Sequence, residues 1–155
     1  MAVQTGWQWC SGCGGLVHDS REGVCPQSMA HARVNAYQVT TGDVPTAGVP
    51  GFRWCGRCSQ LFYMPNEASS RCPGGGTHTS GESGAYTVAT VTSNRPEAGW
   101  WRCGRCQSLF YANRGVGGTC FDGAGHNAGD DVMYQLTSEK ARFVVGAGPK
   151  IKRVI

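Results

Sequence analysis

Nine cysteines and three of the four histidines recur in one fixed order along the 155-residue chain. Two residues separate the first two cysteines of each copy, and five residues separate the third cysteine from the histidine. Between the second and third cysteines lie 11 residues in the first copy and 13 in the other two. The copies are Cys10, Cys13, Cys25 and His31; Cys55, Cys58, Cys72 and His78; and Cys103, Cys106, Cys120 and His126.

This set of residues is typical of structural zinc sites. A Cys-x-x-Cys turn lets two thiolates converge on one ion, and a distant cysteine and histidine complete a tetrahedron. A disulfide in each copy would instead leave three free cysteines and would not explain the constant histidine spacing. Iron also accepts such ligands, but tetrahedral sulfur-rich sites in soluble proteins are most often zinc. The sequence therefore predicts three zinc ions per chain, each with a stabilising role.

The aromatic residues around these ligands repeat as well. Counted between the first cysteines of successive copies, the period is 45 and then 48 residues. A tyrosine follows each histidine, at Tyr37, Tyr86 and Tyr134. The fourth histidine, His18, aligns with Tyr63 and Tyr111. We therefore expect His18 to pack in the protein rather than to bind metal.

The composition predicts a mostly β protein. The chain has 24 glycines and only 15% charged residues, and valine, threonine and aromatic residues occur in short runs between glycine clusters. In each unit we expect one strand before the Cys-x-x-Cys turn, one after it, and one near the tyrosine that follows the histidine. Units this small need a metal to supply folding energy.

The repeats divide the chain into units at 6–50, 51–98 and 99–137, followed by a segment at 138–155. The linkers, 40–50 and 90–98, are short, so we expect one pseudo-threefold body rather than three zinc-ribbon-like beads in a row. The final segment contains two apolar runs separated by glycine and proline. It is interpreted as a closing strand or as a docking segment for a partner.

The pattern [W/F]-x-W-C-x-x-C…C-P-x-G-G-x-H…Y, seen from Phe52 to Tyr86, resembles a tandem repeat of uncharacterised bacterial proteins. Several of those proteins carry the repeat beside secreted or surface modules. The resemblance extends to about Leu136 and implies metal binding and a modular binding role. Two departures leave the ligands intact: the first repeat has 27–30 as Gln-Ser-Met-Ala, and Phe121 replaces the proline in the third.

The N-terminal segment and the length of the apolar runs indicate where in the cell the protein is expected. The segment 1–9 lacks a basic start followed by an apolar stretch, so the sequence predicts no classical signal peptide. No apolar run approaches the ~20 residues that span a bilayer, so no membrane span is expected. Because reduced thiols are the norm in the cytosol, we expect the protein in the cytoplasm or incorporated into an assembly.

The function that fits these observations best is a non-enzymatic binding or assembly module with a protein or glycan partner. Four ligands at every site leave no open position for catalysis, and no acid, base or nucleophile repeats beside them. Tyrosine and asparagine suit sugar stacking and hydrogen bonding, and ordinary turn residues are the alternative interpretation. The candidate ligand-binding residues in the loops after the second strands are Tyr63, Asn66, Tyr111 and Asn113.

Two other functions stay open, namely nucleic-acid binding and a structural role in a phage or secretion particle. The chain has 14 basic and 10 acidic residues, a formal charge of +4. Three thiolates around one Zn²⁺ carry one net negative charge, so three sites reduce this charge to about +1. Nucleic-acid binding then depends on local arginines beside Trp54 and Trp101, namely Arg53, Arg57, Arg102 and Arg105.

Overall fold

A computed structural model describes residues 2–19, 22–27, 30–81, 83–91, 98–112, 116–129 and 132–139. These residues form mainly strands, which confirms the predicted fold class. Two short 3-10 helices span Pro45–Ala47 and Met64–Ser69. The strands are β1 Val3–Cys10, β2 Leu16–His18, β3 Arg33–Thr41, β4 Val49–Trp54, β5 Leu61–Tyr63, β6 Tyr86–Val91, β7 Ala98–Arg102, β8 Leu109–Tyr111, β9 Val116–Gly117, β10 His126–Asn127, β11 Met133–Gln135 and β12 Thr137–Ser138.

Each unit is built from the same three strands in the same register. The first and second strands form a hairpin across the Cys-x-x-Cys turn, with β1 paired to β2, β4 to β5 and β7 to β8. The first strand also pairs with the third strand of its own unit, which is β3, β6 or β11. An aromatic residue of the first strand therefore lies opposite a tyrosine of the third. These pairs are Trp7 with Tyr37, Phe52 with Tyr86, and Trp100 with Tyr134.

The third strands join the units into a ring. The end of β3 pairs with the start of β6, and the end of β6 pairs with β11. The chain then continues into β12, which pairs with the middle of β3. The three contacts use equivalent positions, namely Thr40 with Thr87, Ala89 with Gln135, and Thr137 with Gln38.

Hydrogen bonds from the second strands join the three units into a second ring. The backbone N–H of His18 donates to the carbonyl of Ser59 at 3.0 Å, so the first unit bonds to the second. Tyr63 donates in the same way to Gln107 at 2.9 Å, and Tyr111 donates to Gly14 at 2.9 Å. Because the third unit bonds back to the first, the units form one pseudo-threefold body and not a row of beads.

Equivalent apolar side chains from the three units fill one shared core. All of them are at most 3% exposed. Burying one large apolar side chain contributes about 1.5–3 kcal/mol, so the shared core supplies what a single unit lacks. The equivalent sets are Trp7, Phe52 and Trp100; Leu16, Leu61 and Leu109; and Val39, Val88 and Leu136.

Some sequence-based expectations concern residues that the structure covers only in part. The predicted segment at 138–155 lies outside the described residues from 140 onward, and so does most of the linker at 90–98. The unit boundaries stay predictions, since strands of all units pair with one another. In the part of the chain that the structure describes, no helix is long and apolar enough to cross a membrane.

A glycine lets each first strand bend as it enters the core. Gly6, Gly51 and Gly99 occupy equivalent places and have φ values of 90°, 95° and 99°. The pairing register shifts at this point between Gln4 and Trp7 in β1 and between Val49 and Phe52 in β4. Residues with a Cβ rarely adopt such angles, so glycine is required there.

We expect Gly51→Ala to lower the free energy of unfolding by about 1–3 kcal/mol, because alanine would be strained at this angle. The added Cβ would also lie 3.2 Å from the ring of Pro65. Urea unfolding at fixed metal concentration measures the effect. Gly81→Ala is the control, since nothing lies within 4 Å of a Cβ at that position. Equal stability of the two variants would contradict the assigned bend.

Candidate metal centres

The turn of each hairpin brings its two cysteines together. In the second unit the N–H of Ser59 donates to the carbonyl of Cys55 at 2.8 Å, and the N–H of Cys55 donates to Gln60 at 2.9 Å. Ser59 has a φ of 69°, in the left-handed region, and its equivalents Gly14 and Gln107 have 82° and 71°. This residue reverses the chain directly after the second cysteine. The two thiols therefore point to the same side of the turn.

The loop after the second strand supplies the other two ligands. In each unit the third cysteine and the histidine meet the Cys-x-x-Cys pair, and the four donor atoms lie within 4.8 Å of one another. All twelve residues are buried. The structure thus brings together every residue that the sequence assigned to a metal, in the three predicted sets.

The distances within each group match a tetrahedral metal centre. Bonds of about 2.3 Å to sulfur and about 2.1 Å to nitrogen place two sulfurs about 3.8 Å apart, and sulfur and nitrogen about 3.6 Å apart. The first and third cysteine sulfurs are separated by 3.7, 3.8 and 3.9 Å in the three units. The second cysteine sulfur lies 3.7, 3.4 and 3.5 Å from the histidine Nδ1.

These distances do not fit disulfides, whose sulfurs lie about 2.05 Å apart. All nine cysteines are free. Three thiolates and one imidazole are the donor set that zinc prefers, and four ligands complete its coordination. The residues present therefore fit a closed zinc site in each unit.

Buried thiols this close cannot all lose their protons without a cation. Burial raises the pKa of Cys58 well above its usual range. A hydrogen bond from that thiol lowers the pKa of Cys55 instead, so the two share a proton. Cys106 and Cys103 show the same opposite shifts, with mutual hydrogen bonding as the main cause. A divalent cation that replaces these protons allows all three thiols to bind as thiolates.

The imidazoles face the sulfurs through Nδ1 and the neighbouring unit through Nε2. His31 Nε2 lies 2.7 Å from the carbonyl oxygen of Cys58. His78 Nε2 lies 3.2 Å from the hydroxyl of Ser108, which belongs to the third unit. Outer partners of this kind fix the ring of a metal-binding histidine. Two of the sites are thus linked to the next unit through their histidines.

His18 lies outside the three groups. Its ring stacks on Trp54 with centroids 5.5 Å apart and meets the edge of Trp7 at 4.7 Å. Burial lowers the pKa of His18, so its neutral form is favoured. The position is paired with the first strand in the same way as Tyr63, which lies opposite Phe52. These contacts indicate a packing role.

The candidate ligand-binding residues have contacts within the protein. Tyr63 is half-buried against Phe52, and Tyr111 is half-buried against Trp9 and Trp100. The amide of Asn66 donates to the side chain of Gln107 at 3.1 Å. Asn113 lies outside the described residues. The tyrosine contacts favour packing, and ligand binding by this set stays a prediction.

The arginines of the proposed nucleic-acid patch are also engaged within the chain. Arg53 forms an ion pair with Asp43 at 3.1 Å, and Arg105 forms one with Asp122. Arg102 donates to Gln107 and lies over the ring of Tyr63. Arg57 donates to the carbonyl of Thr77. These contacts occupy part of the charge and the hydrogen-bond donors with which the arginines could bind a phosphate backbone.

Sequence reasoning missed two buried polar residues between the sites. Ser108 donates to the side-chain oxygen of Gln60 at 2.5 Å, and the amide of Gln60 points at the sulfur of Cys13, 3.6 Å away. The equivalent position in the first unit is Gly15. Since this position holds glycine, glutamine and serine in turn, the repeat offered no common signal for it.

Comparison with family models, curated proteins and solved structures finds no match for the chain. The resemblance to bacterial tandem-repeat proteins therefore stays a prediction.

We expect His18→Tyr to retain all metal and to change the free energy of unfolding by less than about 1 kcal/mol. Tyrosine already occupies the equivalent position in the other two units, so we expect the first unit to accept it. Elemental analysis and urea unfolding provide the measurements. His31→Tyr is the matched control and should lose one metal equivalent. Loss of metal from the His18 variant would contradict the ligand set of the first unit.

Proposed function

We propose that this protein is a non-enzymatic binding or assembly module whose fold is held together by three zinc ions. The observation that carries the proposal is the set of three buried Cys₃His groups with tetrahedral spacing. The groups belong to one closed ring of strands, so each metal would stabilise the shared body rather than a separate finger.

Zinc is the metal that agrees best with these donors. It accepts thiolate and imidazole, takes four ligands, and has no redox chemistry that would expose the site to oxidation. Structural zinc contributes about 10–16 kcal/mol in small zinc peptides at neutral pH. The second strands have only three residues each, so their hairpins need such a contribution.

A structural role is favoured over catalysis by the closure of each site. Catalytic zinc keeps one position for water, whereas each group here offers four protein ligands that are buried. Among the described residues, the groups contain no carboxylate that could act as a base. The groups of the second and third units are at most 4% exposed, which leaves no path for a substrate to the metal.

The partner that we propose is a protein or a glycan, bound on the outer surface of the ring. Nucleic acid is the weaker candidate, since the arginine pairs with Asp43 and Asp122 neutralise part of the basic surface. Metal-binding thiols persist in a reducing compartment, so we propose that the protein acts in the cytoplasm or in an assembly.

Metal content measured together with folding tests this proposal. We expect the purified protein to contain three zinc ions and to lose its near-ultraviolet circular dichroism when a strong chelator removes them. His78→Ala should contain two zinc ions, because it leaves one tetrahedron incomplete.

Thr79→Ala is the control next to that ligand, since Thr79 is exposed, and it should contain three. Protein without zinc that keeps its fold, or a His78 variant that still holds three ions, would refute the structural role.

A further inference from the structure

The sites of the first and second units are linked by a chain of hydrogen bonds. With Nδ1 of His78 on the metal, its Nε2 carries the hydrogen and donates to Ser108 Oγ at 3.2 Å. The Ser108 hydroxyl donates to Gln60 Oε1 at 2.5 Å, and Gln60 Nε2 donates toward Cys13 Sγ at 3.6 Å. The relay thus runs from the imidazole of the second site to a sulfur of the first.

Among the described residues, the histidine of the third site has no equivalent partner. His126 is 1% exposed, and its Nε2 is buried without a hydrogen-bond partner among the described residues. The position that would provide one is Gly15, because Gly15 pairs with Phe110 as Ser108 pairs with Phe62. Each phenylalanine stacks on the histidine of its own unit, with ring centroids 4.8 Å apart in both cases. Relative to His126, a glycine therefore occupies the position from which Ser108 contacts His78 in the second site.

We propose that the three metal sites are unequal and that the third site, Cys103, Cys106, Cys120 and His126, releases its zinc first. This inference rests on the proposed function, since it concerns the same metal. Loss of an outer partner of a metal-binding residue lowers metal affinity about 10–100-fold. The first and second sites keep such partners in the backbone carbonyl of Cys58 and the hydroxyl of Ser108. The third site depends on the stacking of Phe110 to orient its imidazole.

Burial alone would give a different order. In the first site Cys25 is 5% exposed and His31 is 8% exposed, whereas Cys120 and His126 are at most 1% exposed. A chelator would then reach the first site soonest. These exposures are small for every site, so we expect the missing partner to decide the order. The order of release therefore separates the two explanations.

The experiment follows zinc loss from the full chain at limiting chelator. Native mass spectrometry counts the ions that remain, and pulse alkylation with a maleimide followed by peptide mapping identifies the cysteines released. We expect a species with two zinc ions to accumulate, with label on Cys103, Cys106 and Cys120. Earlier label on Cys10, Cys13 and Cys25, or simultaneous loss of all three ions, would overturn the inference.

Gly15→Ser tests whether the missing partner is the cause, because it introduces at position 15 the residue type that contacts His78 in the second site. A Cβ at Gly15 meets no atom closer than 3.5 Å, and its φ is not among the positive values. We expect this variant to slow zinc loss from the third site about 10-fold. Gly81→Ser is the matched control at an open position and should leave the rate unchanged.

Ser108→Ala provides an independent variant if the first one does not fold. It removes the partner of His78, so the second site should release zinc about 10-fold faster while the third site keeps its rate. An unchanged second site, or a Gly15→Ser protein that loses zinc from the third site at the original rate, would overturn the inference. Protein without zinc would refute the proposed function as well, whereas three ions lost in another order would refute only the inference that the third site releases its zinc first.

Discussion

The rest of the structure depends on one repeated position, that of the residue directly after each Cys-x-x-Cys pair. In the second unit this residue is Ser59, whose N–H closes the turn onto Cys55 while its carbonyl accepts the N–H of His18 from the first unit. The left-handed backbone conformation of Ser59 orients its N–H and its carbonyl for these two hydrogen bonds. Metal binding and ring closure therefore share the same few atoms, so a metal that fixes the turn also fixes the contact between units.

This sharing explains how such small units form a stable body. A hairpin with a three-residue second strand cannot bury a core alone. The ring instead brings Trp7, Phe52 and Trp100 of the three units into one buried cluster. The metal sites and the pairing of the third strands then both hold this shared core together. Removal of one metal should weaken two units, since each turn bonds to its neighbour.

The sequence predicted the parts of the structure that are local or repeated. The ligand sets and the mostly β class follow from spacing and composition, because a Cys-x-x-Cys turn and a short strand are decided within a few residues. The pairing of Thr40 with Thr87 could not be predicted, since it joins strands of different units. The hydrogen bond between Gln60 and Ser108 could not be predicted for the same reason, because it also crosses a unit boundary. The packing of Tyr63, which the sequence suggested as a ligand-binding residue, could not be predicted, because its partner Arg102 belongs to another unit.

The measurement that tests the central claim most directly is X-ray absorption at the zinc edge on the purified protein. The account predicts an average zinc environment of three sulfurs at about 2.3 Å and one nitrogen at about 2.0–2.1 Å, with no bound water. This ratio would show that every Cys₃His group closes around its own ion. A shell rich in oxygen, or one with two sulfurs per zinc, would contradict the account, because the metal would then lie outside the turns that join the units.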